Sequence, residues 1–109
     1  MSYKKLVRDN IPEIIKSNGQ IPVTRILSKE EYKLELEKKL IEECKEVIDS
    51  CGENRMEELA DLLEVMMALG KIESKTLEDI ISICDIKRQK RGAFNQMIYL
   101  ENVKKDKSN

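Results

Sequence analysis

Two pairs of acids, Glu43 with Glu46 and Glu58 with Asp61, are each spaced i, i+3. On a helix that spacing brings both side chains of a pair to one spot. At about 100° per residue, Glu58 points into the arc that also holds Leu62, Val65 and Leu69, and Asp61 sits at the edge of that arc. Ordinary solvated acids would instead fall with Glu57 and Glu64, which share the polar face with Ala60 and Lys71. An ionised carboxylate inside an apolar arc is costly unless something positive lies nearby. A short connection around Gly52 would make the two helices antiparallel neighbours, so that the pairs face each other across the seam. Four oxygen donors without nitrogen or sulfur suit a hard cation, Mg²⁺ or Mn²⁺. Each pair also has an ordinary reading. ExxE on a lysine-rich helix is usually a solvated face, and ExxD is as readily an ion pair with an arginine or lysine from elsewhere. Both pairs on successive helices favour the metal.

The rest of the composition narrows the chemistry. The 109 residues contain no histidine, which excludes Ser-His-Asp and Cys-His catalysis and any histidine-ligated metal. Cys44, Cys51 and Cys84 form no CxxC pair, and Cys44 and Cys51, seven apart, read as small core residues on one helix face. Gly19, Gly52, Gly70 and Gly92 are isolated, so no glycine-rich phosphate loop exists. With 20 basic and 21 acidic residues the net charge is −1, and no uniformly basic surface for nucleic acid is expected. Aromatics are limited to Tyr3, Tyr32, Phe94 and Tyr99, few for a stacking platform. The first residues lack an apolar leader core and no apolar run has membrane-spanning length. A cytoplasmic protein with reduced thiols is expected.

The elements that must position the acids follow from caps and breakers. A short first helix is signalled by Asp9 as cap, Pro12 in the first turn and Gly19 past its end. Residues 21–27 (IPVTRIL) read as an extended edge segment. Ser28 and Glu31 form a capping box opening a helix to about Cys51, with the apolar stripe Leu36, Leu40, Cys44, Val47, Cys51 and a stop at Gly52. The next helix runs from about Asn54 to Leu69, is apolar over most of its circumference, and stops at Gly70. A third long helix starts near Thr76, with Asp79 as its capping partner. It buries Leu77, Ile80, Ile81, Ile83 and Cys84 and ends before Gly92. The expected fold is mainly α: a helical bundle of three long or medium helices plus a short N-terminal one, with a small hairpin-like pairing of 22–27 with 95–100. It forms one domain over residues 1–103, followed by a disordered polar tail, 104–109. The Met56–Leu69 helix has more apolar surface than its neighbours in so short a chain can cover, so a homodimer or larger homo-oligomer completes the bundle.

The run Glu42-Glu43-Cys44-Lys45-Glu46, followed by Glu58-Leu59-Ala60-Asp61, resembles the EExxE…ExxD signature of the MazG-like all-α nucleotide pyrophosphohydrolases. The opening Lys5-Leu6-Val7-Arg8-Asp9-Asn10-Ile11-Pro12 and the late Lys87-Arg88-Gln89-Lys90-Arg91-Gly92-Ala93-Phe94 are similar to its phosphoribosyl-ATP pyrophosphohydrolase-like branch. The resemblance spans about Tyr3 to Leu100. It implies Mg²⁺ held by Glu43, Glu46, Glu58 and Asp61, and cleavage of a nucleoside triphosphate or related nucleotide between the α- and β-phosphates. One carboxylate not fully used as a ligand, Glu46 or Glu42, would align or deprotonate the attacking water. Phosphoryl chemistry also needs cations around the departing pyrophosphate. Lys87, Lys90, Arg91, Arg8 and Lys5 are the candidates. Their ordinary roles are to offset a helix C-terminus or, for Arg8, to pair with Asp9 or Glu13. Phe94 or Tyr32 would offer a base a stacking face. The alternative is a non-catalytic helical module that binds a nucleotide or a protein, with the acids engaged in interhelical ion pairs.

Overall fold

A computed structural model of the chain describes residues 4–107; Tyr3 and the last two residues of the polar tail lie outside them. Among the described residues there are four helices and no strand: α1 (Ile11–Ser17), α2 (Lys29–Ile48), α3 (Gly52–Ile72) and α4 (Leu77–Arg91). The mainly α expectation holds. No helix among them is long and apolar enough to cross a membrane.

α1 opens at Asn10 rather than Asp9, with Pro12 in its first turn, where a missing N–H costs nothing. It closes on Gly19 at φ +80. There the Gly19 N–H donates to the Lys16 carbonyl (3.0 Å) and the Gln20 N–H to that of Ile15 (3.2 Å), a Schellman closure. α2 opens as the sequence indicated. The Glu31 N–H donates to Ser28 Oγ (3.2 Å) and the Ser28 N–H to Glu31 Oε1 (3.1 Å). Arg25 grips the same carboxylate with both guanidinium nitrogens, at 2.7 and 3.2 Å.

The ends of α2 and α3 differ from expectation. α2 stops at Ile48, short of Cys51. Ser50 Oγ donates to the Val47 carbonyl (2.9 Å), one of the local bonds by which serine competes with the helical pattern. Gly52, expected to end α2, instead starts α3 at φ +59, a left-handed conformation open to glycine without penalty. Arg55 secures the turn from the other side, donating Nε–H to the Ser50 carbonyl at 2.9 Å. α3 then passes through Gly70, the expected stop. An internal glycine costs a helix only about 1 kcal/mol relative to alanine, which packing on α2 can offset. The actual stop is Ser74 at φ +60, where the Ser74 N–H meets the Lys71 carbonyl and the Lys75 N–H that of Gly70, both at 2.9 Å.

The chain divides into two units, Met1–Leu77 and Glu78–Asn109. In the first, α2 and α3 pack on each other as a hairpin closed by the residues between Ile48 and Gly52. Its core is small: Leu36 (4% exposed) and Val65 (9%) are the buried hydrophobic residues among those described. Leu40 and Val47 are half-buried, but Cys44 and Cys51, read as core, are exposed. One neighbouring helix covers only a narrow stripe of α2.

In the second unit Ile80 is half-buried, while Ile81, Ile83 and Cys84, also read as core, are exposed. Ile83 and Ile86 stand off the 77–80–81–84 face, so the apolar residues of α4 do not gather into one stripe. The segments 22–27 and 95–100 have no strand structure.

Candidate functional site

Residues equally far from the α2–α3 turn stand at the same level of the hairpin. Glu43 lies five residues before the end of α2 and Glu58 six residues after the start of α3, roughly 7.5 and 9 Å along the respective axes. Asp61 follows one turn beyond Glu58. One carboxylate oxygen each from Glu43, Glu58 and Asp61 lies within 4.8 Å of the other two, and all three residues are half-buried. Two oxygens bound to one Mg²⁺ stand at most about 4.2 Å apart, given bonds of about 2.0–2.1 Å. Small rotamer adjustments would close the triad to that size, and its all-oxygen donor set fits a hard cation.

The electrostatics of the seam point the same way. Desolvation raises the Glu58 pKa, and repulsion from Glu46, Asp61, Glu43 and Glu57 adds to it. Glu43 is also raised, chiefly by burial and then by Asp61, with Lys39 on the same helix partly relieving it. Lys39 is not among the residues picked out by motif, although its i, i+4 spacing to Glu43 is a legible signal. Glu46 is exposed and outside the triad, yet close enough to act on both glutamates. Glu42 is exposed, with its carboxylate 3.8 Å from Lys39 Nζ.

The structure also supplies a cation of its own. Arg8, on the segment before α1, donates from Nη2 to Asp61 Oδ1 at 2.6 Å. Neither Asp9 nor Glu13 takes it: Glu13 pairs with Lys16 at 3.3 Å. Lys5 is exposed on the same segment.

The remaining cationic candidates belong to the second unit. There Lys87 and Arg91 line a shallow groove of about 430 Å³ with Cys84, Arg88 and Phe94. Lys90 is not part of that lining. Arg88, absent from the sequence candidates, is, because residues 84, 87, 88 and 91 share a helix face. Phe94 at the groove edge is 98% exposed.

No family model and no solved structure matches the chain. It is similar to an uncharacterized protein of Mycolicibacterium smegmatis, with 51% identity over 43 residues, 39% of this chain and 44% of that one. The chain thus spans less than half the length of the curated relative it matches, and these comparisons assign it to no family.

Proposed function

We propose that this protein is a Mg²⁺-dependent nucleotide pyrophosphohydrolase. Water adds across the α–β anhydride of a nucleoside triphosphate or related nucleotide, releasing a nucleoside monophosphate and pyrophosphate. The observation that carries this reading is the convergence of Glu43, Glu58 and Asp61 from two helices onto one spot. The resemblance of their sequence frame to the MazG-like enzymes supplies the reaction. Bound there, a divalent cation (Mg²⁺, or Mn²⁺ in its place) would supply positive charge against the phosphate oxygens and acidify water. Glu43, Glu58 and Asp61 would hold it. Glu46, exposed at the rim, is free of the triad to orient the attacking water and take its proton. Glu42, shared with Lys39, is the less suited of the two. The free thiols of Cys44, Cys51 and Cys84 agree with a reducing, cytoplasmic setting.

A second copy of the chain completes the bundle in this reading. Ile48 (74% exposed) and Met56 (66%) flank the turn, and Leu59, Leu63 and Met66 are also exposed along α3. Contiguous apolar surface of this kind marks an interface. Sedimentation at micromolar concentration should give a dimer or larger species; a monomer removes this part of the proposal.

The Arg8–Asp61 pair favours a second reading, in which the acids serve only as ion-pair partners in a non-catalytic nucleotide- or protein-binding module. One experiment separates the two: pyrophosphate release from canonical and modified nucleoside triphosphates and from phosphoribosyl-ATP, with Mg²⁺ and with EDTA. Release that depends on Mg²⁺ is expected. Silence across the panel, with no Mg²⁺ bound at the acids, turns the choice to the binding module.

A further inference from the structure

Arg8 is placed differently from the other cations of the first unit. Its backbone is fixed: the Ile11 N–H donates to the Arg8 carbonyl at 3.1 Å, and the preceding Leu6 and Val7 are half-buried. Its side chain is not. It is 58% exposed and reaches Asp61 through one nitrogen on one oxygen, at a carboxylate itself 46% exposed. A guanidinium beside a carboxylate can make two parallel bonds, as Arg25 does on Glu31, so the Arg8 contact uses half of what is available. An ion pair this exposed is weak. Its acceptor is also one of the three carboxylates that converge between α2 and α3.

We infer that Arg8 is a resident counter-ion of the triad, which gives up Asp61 when a divalent cation arrives and turns its guanidinium to a phosphate of the incoming ligand. This rests on the metal reading of the triad and adds a role that reading does not require. The guanidinium cannot leave by losing its proton. A divalent cation on Asp61 repels the guanidinium and competes with it for the carboxylate's charge, which favours the side chain swinging away. From a fixed backbone, the partner that best matches its forked donors is a phosphate, and the ligand class is a phosphoanhydride. Linkage makes the exchange reciprocal: whatever the pair contributes at Asp61 is subtracted from cation affinity.

The test uses the full chain, with Mn²⁺ alone and then the Mn²⁺–pyrophosphate complex as calorimetric probes. Arg8→Ala and Arg8→Gln should bind Mn²⁺ about two- to fivefold more tightly than wild type, the range expected for release from an exposed pair. The same variants should hold Mn²⁺–pyrophosphate more weakly than wild type. Lys4→Ala, which removes an equal charge from the same segment, should leave both affinities unchanged. Mn²⁺ affinity unchanged or lowered in both Arg8 variants overturns the exchange while leaving the metal site standing. An equal effect from Lys4→Ala overturns it too, because general charge then suffices. If neither wild type nor variant binds Mn²⁺, the metal reading fails and the exchange fails with it.

Discussion

Glu31 and Glu58 are both half-buried glutamates at helix positions of the same hairpin, and their surroundings treat them oppositely. The Arg25 guanidinium, then the Ser28 N–H, hold Glu31 down to a pKa of about 2. Desolvation and four neighbouring acids push Glu58 up. At the first site every charge has a partner supplied by the chain within six residues, and the outcome is a fixed helix start. At the second, acids from two helices share a seam, and the chain supplies Arg8 to Asp61 with partial relief of Glu43 from Lys39. A satisfied acid builds structure. At the seam the acids crowd together with less compensation than Glu31 receives.

The contrast is broken most forcefully by Glu58→Gln. If Glu58 is a ligand, Mg²⁺-dependent pyrophosphate release should drop by about 100-fold or more, while the Tm in EDTA stays level or rises because a repelled charge is gone. An unchanged rate takes Glu58 out of the site. The opposite pattern is expected at the cap. Ser28→Ala should cost about 1 kcal/mol, read as a Tm lower by about 4–8 °C for a chain this small, with turnover per folded molecule unaltered. A loss of turnover without a loss of stability would erase the distinction between the two sites.

The smallest effect is the shape of stability against pH in the metal-free protein. Glu31 is depressed, so the unfolded chain binds its proton more readily, and stability climbs as pH rises from about 2 towards the ordinary value of 4.5. Glu43 and Glu58 are raised, so the folded chain holds protons that the unfolded one has released. Above 4.5, stability should therefore fall as pH passes through their shifted values. Both slopes are shallow because the groups face solvent. Chemical denaturation across that range should show Arg25→Ala flattening the climb and Glu58→Gln, or added Mg²⁺, flattening the fall.

Much of this arrangement was legible from residue types and spacing. The capping box at Ser28 and Glu31 is local and legible in the sequence, as are the four helices. The approach of Glu43 to Glu58 and Asp61 follows from helical period and a short turn. Glycines misled the boundaries: Gly52 starts α3 and Gly70 lies within it, because a glycine signals permission for an unusual backbone angle rather than a stop. Arg8 was named without its partner, since a contact across 53 positions in sequence leaves no periodic trace. Cys44, Cys51, Ile81 and Ile83 were placed in a core because apolar spacing reports which face seeks cover, and a single short chain does not cover every such face.

The turn between Ile48 and Gly52 has a consequence for how this sequence can vary. Connecting segments ordinarily absorb insertions and deletions with little penalty. Here one added residue, if the turn did not bulge to take it up, would unwind the Gly52 start or slide α3 by about 1.5 Å and rotate it by about 100°. Glu58 and Asp61 would then swing off the seam while both helices remained intact. Among chains built on this hairpin, the length of that linker should therefore be as tightly held as the identity of the three acids, and a homologous sequence of altered linker length should have lost the cluster even where every carboxylate is retained.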